Sequence, residues 1–216
     1  MNNDGLELVF ILDRSGSMGG LEKETIDGFN NLIETQKEKP GEVLVSTVLF
    51  DNRFEVLHNR IPIEKVSKMT EETYYVRGTT ALLDAIGKSI LKIRKVHKEL
   101  GPEKAPKKTL FFILTDGYEN ASKEFDSTRI KDYIELQKEK YGWEFIFMGA
   151  NIDAVETGRK FGLDESKTVN YHADEQGVHL NYRVMSDAVT QMRVYSYVES
   201  DWKKEIDADF KSRKKS

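Results

Sequence analysis

Four apolar runs of the chain are continuous, and they predict the strands of a buried sheet. Such runs are typical of parallel strands that are covered on both faces. Residues 53–57 instead alternate apolar and polar positions after Asp51-Asn52, which predicts an antiparallel edge strand in a hairpin. Residues 167–171 are interpreted as a short last strand. The four continuous runs are residues 6–12, 43–50, 109–115 and 143–149.

Amphipathic helices are predicted between these strands, because apolar residues recur there at three- and four-residue spacing. The stripes fall at residues 21–33, 82–93, 130–137, 154–161 and 185–195. This alternation favours an α/β fold: a Rossmann-like, doubly wound sandwich with a mostly parallel central sheet, one antiparallel edge strand and helices on both faces. We expect one domain over residues 1–200, a charged and frayed tail over residues 201–216, and an exposed loop over residues 98–108.

The composition excludes several classes of function. A chain of 216 residues, 38% of them hydrophobic, is long enough to bury a core. A net charge of −4 does not favour a nucleic-acid partner, and no run of about 20 apolar residues predicts a membrane span. The absence of cysteine excludes disulfides and thiolate metal sites. The N-terminal apolar stretch is short and lacks a basic flank, so we expect no signal sequence and a cytoplasmic protein.

Three polar segments stand at the ends of predicted strands or at the start of a helix. Asp13-Arg14-Ser15-Gly16-Ser17 follows the first strand directly, so Asp13, Ser15 and Ser17 occupy alternate positions. Gly78-Thr79-Thr80 precedes the second helix, and Asp116 closes a later strand. Ligands of open α/β sheets bind outside the carboxyl ends of the strands. We therefore expect the three segments to meet at one site.

Together these segments resemble the von Willebrand factor type A family and its metal-ion-dependent adhesion site (MIDAS). The resemblance extends over residues 5 to about 170. It implies that Ser15 and Ser17 bind a metal ion directly, that Thr80 joins when a partner is bound, and that Asp13 and Asp116 hold waters around the ion. Thr79 is the alternative to Thr80 as the metal ligand. We prefer Thr80, because the family threonine lies six positions before an apolar helix residue, here Ile86.

The chemistry of the five side chains points to the same kind of ion. All five offer hard oxygen donors, which suits Mg²⁺, with Mn²⁺ or Ca²⁺ as substitutes. Neutral hydroxyl ligands quench little of the ion's charge, so an anionic ligand such as a carboxylate of a partner protein should bind it. Arg77 and Tyr118 flank the segments and are candidates for contact with that partner. The function predicted is a metal-dependent interaction module without catalysis of its own.

The resemblance also implies a class of relatives. Because the chain contains little besides the module, it is similar to stand-alone intracellular members of the bacterial or phage type. Such members often serve AAA-type ATPases or stress-response systems, so a component of this kind is the expected partner.

Two alternatives compete with the metal site. Ser17 could be a helix N-cap, with Asp13 an ordinary loop acid. Ser15-Gly16-Ser17-Met18-Gly19 also approaches the hydrolase pattern G-x-S-x-G, and Ser17, Asp116 and either His172 or His179 follow in the chain order of a triad. The hydrolase leaves Asp13 and Thr80 without roles. Nucleotide-binding loops have no support, since G-x-G-x-x-G does not occur and Gly87-Lys88-Ser89 lies within a predicted helix.

Overall fold

The computed structural model describes residues 4–213, which form a six-stranded sheet with helices on both faces. The strands are β1 (Leu6–Asp13), β2 (Val43–Phe50), β3 (Phe54–Pro62), β4 (Lys108–Thr115), β5 (Glu144–Gly149) and β6 (Thr168–Asn170). The helices are α1 (Glu22–Lys37), α2 (Leu82–Leu100), α3 (Ser127–Tyr141), α4 (Ala154–Lys160), α5 (Glu175–Tyr195) and α6 (Lys204–Ser212). Single 3₁₀ turns occur at Gly16–Met18, Ile63–Lys65 and Glu165–Lys167.

The strand order is β3-β2-β1-β4-β5-β6. Strand β3 is antiparallel to β2, and the other neighbouring pairs are parallel. The predicted mostly parallel sheet with one antiparallel edge strand is therefore confirmed. Strand β3 continues to Pro62, beyond the predicted end, across register shifts between Val45 and Val48 of β2.

Each face of the sheet has its own apolar core, because side chains of a strand point alternately to the two sides. One core contains Leu8, Phe10 and Leu12 of β1 together with residues of α1, α5 and α6. Val9 and Ile11 pack instead with residues of α2, α3 and α4. Burial of β1 on both faces explains why its sequence is continuously apolar.

The prediction of a frayed C-terminal tail is wrong for the residues up to Arg213. Trp202 and Ile206 are buried in the core, and the Trp202 indole N–H donates to the carbonyl oxygen of Ser166 at 2.8 Å. These two apolar side chains, four positions apart, anchor α6 although the residues around them are charged. The last part of the predicted tail, residues 214–216, lies outside the described residues.

Two other boundaries differ from the prediction. Helix α5 begins at Glu175, well before the predicted 185, because Val178 and Tyr182 extend its buried stripe. Helix α2 continues to Leu100, so the loop before β4 is shorter than residues 98–108, and its Pro106 is buried. Within residues 4–213, no helix combines the length and the apolar character that crossing a membrane requires.

The connectivity creates a crevice beside β1. From β1 the chain moves to β2 on one side, and β4 is later added on the other side of β1. This reversal is a topological switch point, where the loops after two adjacent parallel strands diverge and leave room for a ligand. Asp13 ends β1, and Asp116 directly follows β4.

Candidate metal centre

The loop after β1 presents its serine hydroxyls to the crevice. The backbone N–H of Ser15 donates to Asp13 Oδ1 at 2.7 Å, and the Tyr74 hydroxyl donates to the Asp13 carbonyl oxygen at 2.7 Å. Ser15 precedes the 3₁₀ turn Gly16–Met18 but makes no side-chain capping bond, and α1 is preceded by Leu21. Ser17 is thus not the N-cap of a helix, and that alternative is not what the structure shows.

Four predicted residues form a continuous row of oxygen atoms. Thr80 Oγ1 donates to Ser15 Oγ at 3.1 Å, and Ser15 Oγ lies 3.0 Å from Ser17 Oγ. Ser17 Oγ donates to Asp116 Oδ1 at 2.6 Å. The row joins side chains from the β1 loop, the segment before α2 and the end of β4. The three segments that the sequence singled out therefore meet at one place.

A glycine borders this row. A Cβ atom on Gly117 would lie 3.2 Å from Ser17 Oγ and 3.6 Å from Thr80 Oγ1. Any side chain at this position would therefore crowd the hydroxyls, and glycine keeps their surroundings open.

Asp13 supports the row from the buried side. Its Oδ2 accepts a hydrogen bond from Thr115 Oγ1 at 2.6 Å, so both of its carboxyl oxygens are satisfied. Asp116 differs, because its Oδ2 is buried and has no hydrogen-bond partner among the described residues. A buried, unpaired carboxylate oxygen is costly unless something positive or a donor meets it.

Burial disfavours the charged form of both carboxyl groups. It raises the pKa of Asp13 to about 6, against the opposing hydrogen bonds from Thr115 and Ser15 and with a smaller contribution from the charge of Asp116. Burial likewise raises the pKa of Asp116, opposed by the Ser17 hydrogen bond. Two buried acids at one sheet edge are an environment that a cation would relieve.

The structure distinguishes Thr80 from Thr79. Thr80 is 3% exposed and its hydroxyl joins the oxygen row, whereas Thr79 is exposed. Asn120 fixes the backbone of Thr80 at two points: Asn120 Oδ1 accepts from the Thr80 N–H at 2.9 Å, and the Asn120 N–H donates to the Thr80 carbonyl at 3.0 Å. The loop after Asp116 thus holds Thr80 in place.

The glycine of the G-T-T segment is required by its backbone and its surroundings. Gly78 has a φ of 66°, and a Cβ atom there would lie 2.3 Å from Asn52 Oδ1. Its carbonyl oxygen accepts from the Gly16 N–H at 3.2 Å. Gly78 therefore lets the segment before Thr80 run alongside the serine loop.

Sequence reasoning missed the residues that support the site. Glu119 accepts from the N–H groups of Ala121 and Ser122 and from the N–H of Leu83 at the start of α2. With Asn120, it attaches the loop after Asp116 to the segment that carries Thr80. The signal was present as two consecutive polar residues, Glu119 and Asn120, soon after Asp116. The groups that they bind near Thr80 lie roughly 40 residues earlier in the chain.

Arg14 was also missed, and it is fully buried between two site residues. Its Nε donates to Asp51 Oδ2 at 3.1 Å, and its Nη2 donates to Glu55 Oε2 at 2.5 Å. Arg77 Nε donates to the same Asp51 oxygen at 2.6 Å, which raises the pKa of Arg77. This network joins the serine loop, the β2–β3 turn and the segment before Thr80.

The two residues predicted to face a partner lie differently. The Arg77 guanidinium is bound by Asp51 and donates to the Tyr75 hydroxyl at 3.0 Å, with its side chain 28% exposed. Tyr118 is 67% exposed and follows Gly117, which borders the oxygen row. Tyr118 is therefore the more accessible of the two.

The hydrolase triad does not form. His172 Nε2 lies 3.2 Å from the Phe210 carbonyl oxygen, and the His172 ring stacks on Phe210. His179 lies on α5 beside a cleft against α1. Neither histidine makes a hydrogen bond with Ser17 or Asp116, and Ser17 donates directly to Asp116 without an imidazole between them.

The donor set fits a hard cation. No group of three or more His, Cys, Asp or Glu side chains that could hold a metal occurs in the described part of the chain. The cluster does not need one, because it consists of two carboxylates and three hydroxyls. Its unpaired Asp116 Oδ2 and its exclusively oxygen donors are compatible with Mg²⁺ or a similar ion.

Comparisons with known proteins identify the fold. No family model matches the chain, and no curated protein matches it. A von Willebrand factor type A structure from Catenulispora acidiphila is 14% identical, with a TM-score of 0.58 over 86% of this chain and 42% of that one. Manganese-loaded TRAP protein of Plasmodium vivax is 17% identical, with a TM-score of 0.54 over 83% of this chain and 73% of that one.

A third similar structure is proximal thread matrix protein 1 from the mussel byssus, with a zinc-occupied MIDAS motif. It is 15% identical, with a TM-score of 0.56 over 87% of this chain and 46% of that one. The chain spans less than half the length of the Catenulispora acidiphila and byssus structures. The fold is that of a von Willebrand factor type A domain.

Proposed function

We propose that this protein is a metal-dependent interaction module that binds an acidic group of a protein partner at the oxygen cluster. The observation that carries the proposal is the row of oxygens from Thr80 through Ser15 and Ser17 to Asp116, which ends beside an unpaired, buried carboxylate oxygen. The hydroxyls of one loop and of a distant threonine thus meet beside two buried acids, an arrangement that a cation would stabilise.

The residues have separate roles in this proposal. The hydroxyls of Ser15 and Ser17 would hold the ion directly, and Asp13 and Asp116 would act through waters. Mg²⁺ is the expected ion, with Mn²⁺ or Ca²⁺ as substitutes. Support comes from similar structures that are described as loaded with manganese or as having zinc in a MIDAS motif.

A carboxylate is the ligand that such a centre would select. The ion would supply a positive charge that neutral hydroxyls leave largely unquenched, so an anionic oxygen gains most by contacting it. Thr80 would join the ion when the partner's acid is bound. Tyr118, exposed beside Gly117, would contact the partner near this acid, and Arg77 would contribute through the exposed part of its guanidinium.

Catalysis by this chain is not part of the proposal, because the Ser17 hydroxyl donates to Asp116 and neither His172 nor His179 is hydrogen-bonded to it as a triad requires. We expect a stand-alone, cytoplasmic member of the bacterial or phage type. The expected partner is a protein that donates a carboxylate, such as an AAA-type ATPase or a stress-response component. Nucleic acid and membranes are not expected partners.

Thr80→Ala and Thr79→Ala form the matched pair that tests this proposal. Metal affinity is measured by calorimetry, and partner binding by capture from the source cell in Mg²⁺ or EDTA. Thr80→Ala should weaken partner binding more than metal binding, and Thr79→Ala should change neither. Ser15→Ala combined with Ser17→Ala should abolish both, because Mg²⁺ tolerates poor geometry badly. Partner binding that persists in EDTA would refute the proposal.

A further inference from the structure

A second cavity lies at the opposite end of the sheet from the metal centre. It has a volume of about 490 Å³ and opens between the C-terminal ends of α2 and α3, beside the residue that precedes β5. Its lining includes Arg94, His97, Lys98, Gln137, Tyr141 and Trp143. The metal centre does not use any of these residues.

One residue that lines this cavity, Gln137, has a buried side-chain amide without a partner within residues 4–213. Gln137 is 0% exposed, and neither its Nε2 nor its Oε1 has a hydrogen-bond partner among the described residues. An unpaired buried amide is destabilising, and a ligand that paired with it would remove that cost. One amide offers a donor and an acceptor side by side, which matches a ligand edge with an adjacent acceptor and donor.

Flat rings form one wall of the cavity. Trp143 stacks on Phe111 with ring centroids 5.5 Å apart, and His97 meets the Trp143 ring edge-on at 5.4 Å. The same His97 is held by buried Glu7, whose Oε2 lies 3.2 Å from His97 Nε2. These rings are thus fixed in place, and exposed Tyr141 stands at the same cavity. A planar ligand gains most from such a wall.

Two positive charges stand at the rim. Arg94 and Lys98 are exposed and lie one turn apart on α2. Within residues 4–213, neither has an acidic partner, whereas Lys95 between them is paired with Glu99 at 4.0 Å. Cations separated by one turn on the same helix repel each other. An anionic group bound between them would remove that repulsion.

We propose that this cavity binds a nucleotide-like ligand, in which a planar heterocycle with an adjacent donor and acceptor is joined to a phosphate. The heterocycle would pair with the Gln137 amide along the aromatic wall, and the phosphate would bind Arg94 and Lys98. Glutamine pairs in this bidentate way with the edge of adenine. The proposal is independent of the metal centre and needs no glycine-rich loop, because side chains supply every contact.

The two tryptophans provide a direct assay with an internal control. Trp143 lines the cavity. Trp202 belongs to the core on the other face of the sheet, and its indole N–H donates to the Ser166 carbonyl oxygen. Titration with AMP or UMP should shift the Trp143 indole N–H resonance and leave that of Trp202 unchanged. Adenosine and ribose 5-phosphate, which each offer half of the ligand, should both bind more weakly than AMP.

Variants separate the two halves of the site. Gln137→Leu should weaken AMP binding about tenfold or more while leaving ribose 5-phosphate binding unchanged. It should also raise Tm, which shows that the variant is folded. Arg94→Glu with Lys98→Glu should abolish binding of ribose 5-phosphate, and Lys95→Glu, the same charge change outside the cavity, should not.

Three results would overturn the proposal. Absence of a Trp143 shift with both AMP and UMP at millimolar concentration would show that the cavity binds no nucleotide. Ribose 5-phosphate that binds as tightly as AMP would reduce the site to an anion patch. Adenosine that binds as tightly as AMP would remove the assigned role of Arg94 and Lys98.

Discussion

Replacing Asp116 by asparagine should have opposite effects in the absence and in the presence of metal. Without metal, the wild-type protein keeps a carboxylate whose Oδ2 is buried and unpaired. Asparagine retains an oxygen that can accept from Ser17 and removes the buried negative charge. The free energy of unfolding in EDTA at pH 7 should therefore stay the same or rise, because an unpaired amide costs less than an unpaired charge.

In the presence of metal, Asp116→Asn should instead make the protein less stable than the wild type. Binding of an ion to the native state alone stabilises it by about 2.7 kcal/mol at 100 times the dissociation constant. For a chain of this length each kcal/mol moves Tm by roughly 2–4 °C, so saturating Mg²⁺ should raise the wild-type Tm by roughly 5–11 °C. Asp116→Asn removes one of the two charges that attract the ion, so most of this increase should disappear.

Thermal unfolding of both proteins in EDTA and in Mg²⁺ measures both effects. Asp132→Asn is the matched control, since it makes the same charge change on the exposed surface of α3 and should keep the full Mg²⁺ response. A wild-type Tm that responds to neither Mg²⁺ nor Mn²⁺ would contradict the metal centre. An Asp116→Asn protein that is strongly destabilised in EDTA would show instead that the carboxylate supports the fold.

Three further predictions concern the fold. Gly28→Ala should destabilise the protein by about 1–3 kcal/mol in urea unfolding, because its Cβ would lie 2.3 Å from Tyr182 Cδ2 between α1 and α5. Trp202→Ala should cost about 3–5 kcal/mol and increase hydrogen exchange in α6, where a frayed tail would show no change. Burial lowers the pKa of His58, so the native state binds fewer protons than the unfolded state. Stability should therefore fall as the pH drops below about 6.5, and His58→Gln should reduce this slope of unfolding free energy against pH.

Much of the fold could be predicted, because burial of a strand on both faces or on one face leaves a distinct apolar pattern in the sequence. Continuous apolar runs located β1, β2, β4 and β5, and alternation located β3. The C-terminal region could not be predicted in this way. In the region of α6 the buried apolar residues are Trp202 and Ile206, and two such side chains among many charges make a weak periodic signal.

The residues of the candidate site likewise fall into those that could be predicted from the sequence and those that could not. Residues of the candidate site stand in short polar segments at strand ends, so Asp13, Ser15, Ser17 and Asp116 could be located from the sequence, and their roles are those that the family resemblance implies. Residues that support them act through partners distant in sequence. Arg14 forms ion pairs with Asp51 and Glu55 of the β2–β3 hairpin. No local sequence pattern predicts that an arginine between Asp13 and Ser15 in the chain is fully buried.

These supporting contacts limit how Thr80 can respond to a partner. Asn120 holds the Thr80 backbone through both its side chain and its own N–H, so Thr80 cannot shift alone unless these bonds break. Movement of Thr80 relative to Ser15 would carry the loop after Asp116 with it. The segment that carries Thr80 is also tied to the serine loop, because the Gly16 N–H donates to the Gly78 carbonyl. It is tied to the β2–β3 turn as well, because the Ala81 N–H donates to the Asp51 carbonyl and Arg77 Nε donates to the Asp51 carboxylate. A change in the Thr80–Ser15 distance therefore requires hydrogen bonds on at least one side of Thr80 to break.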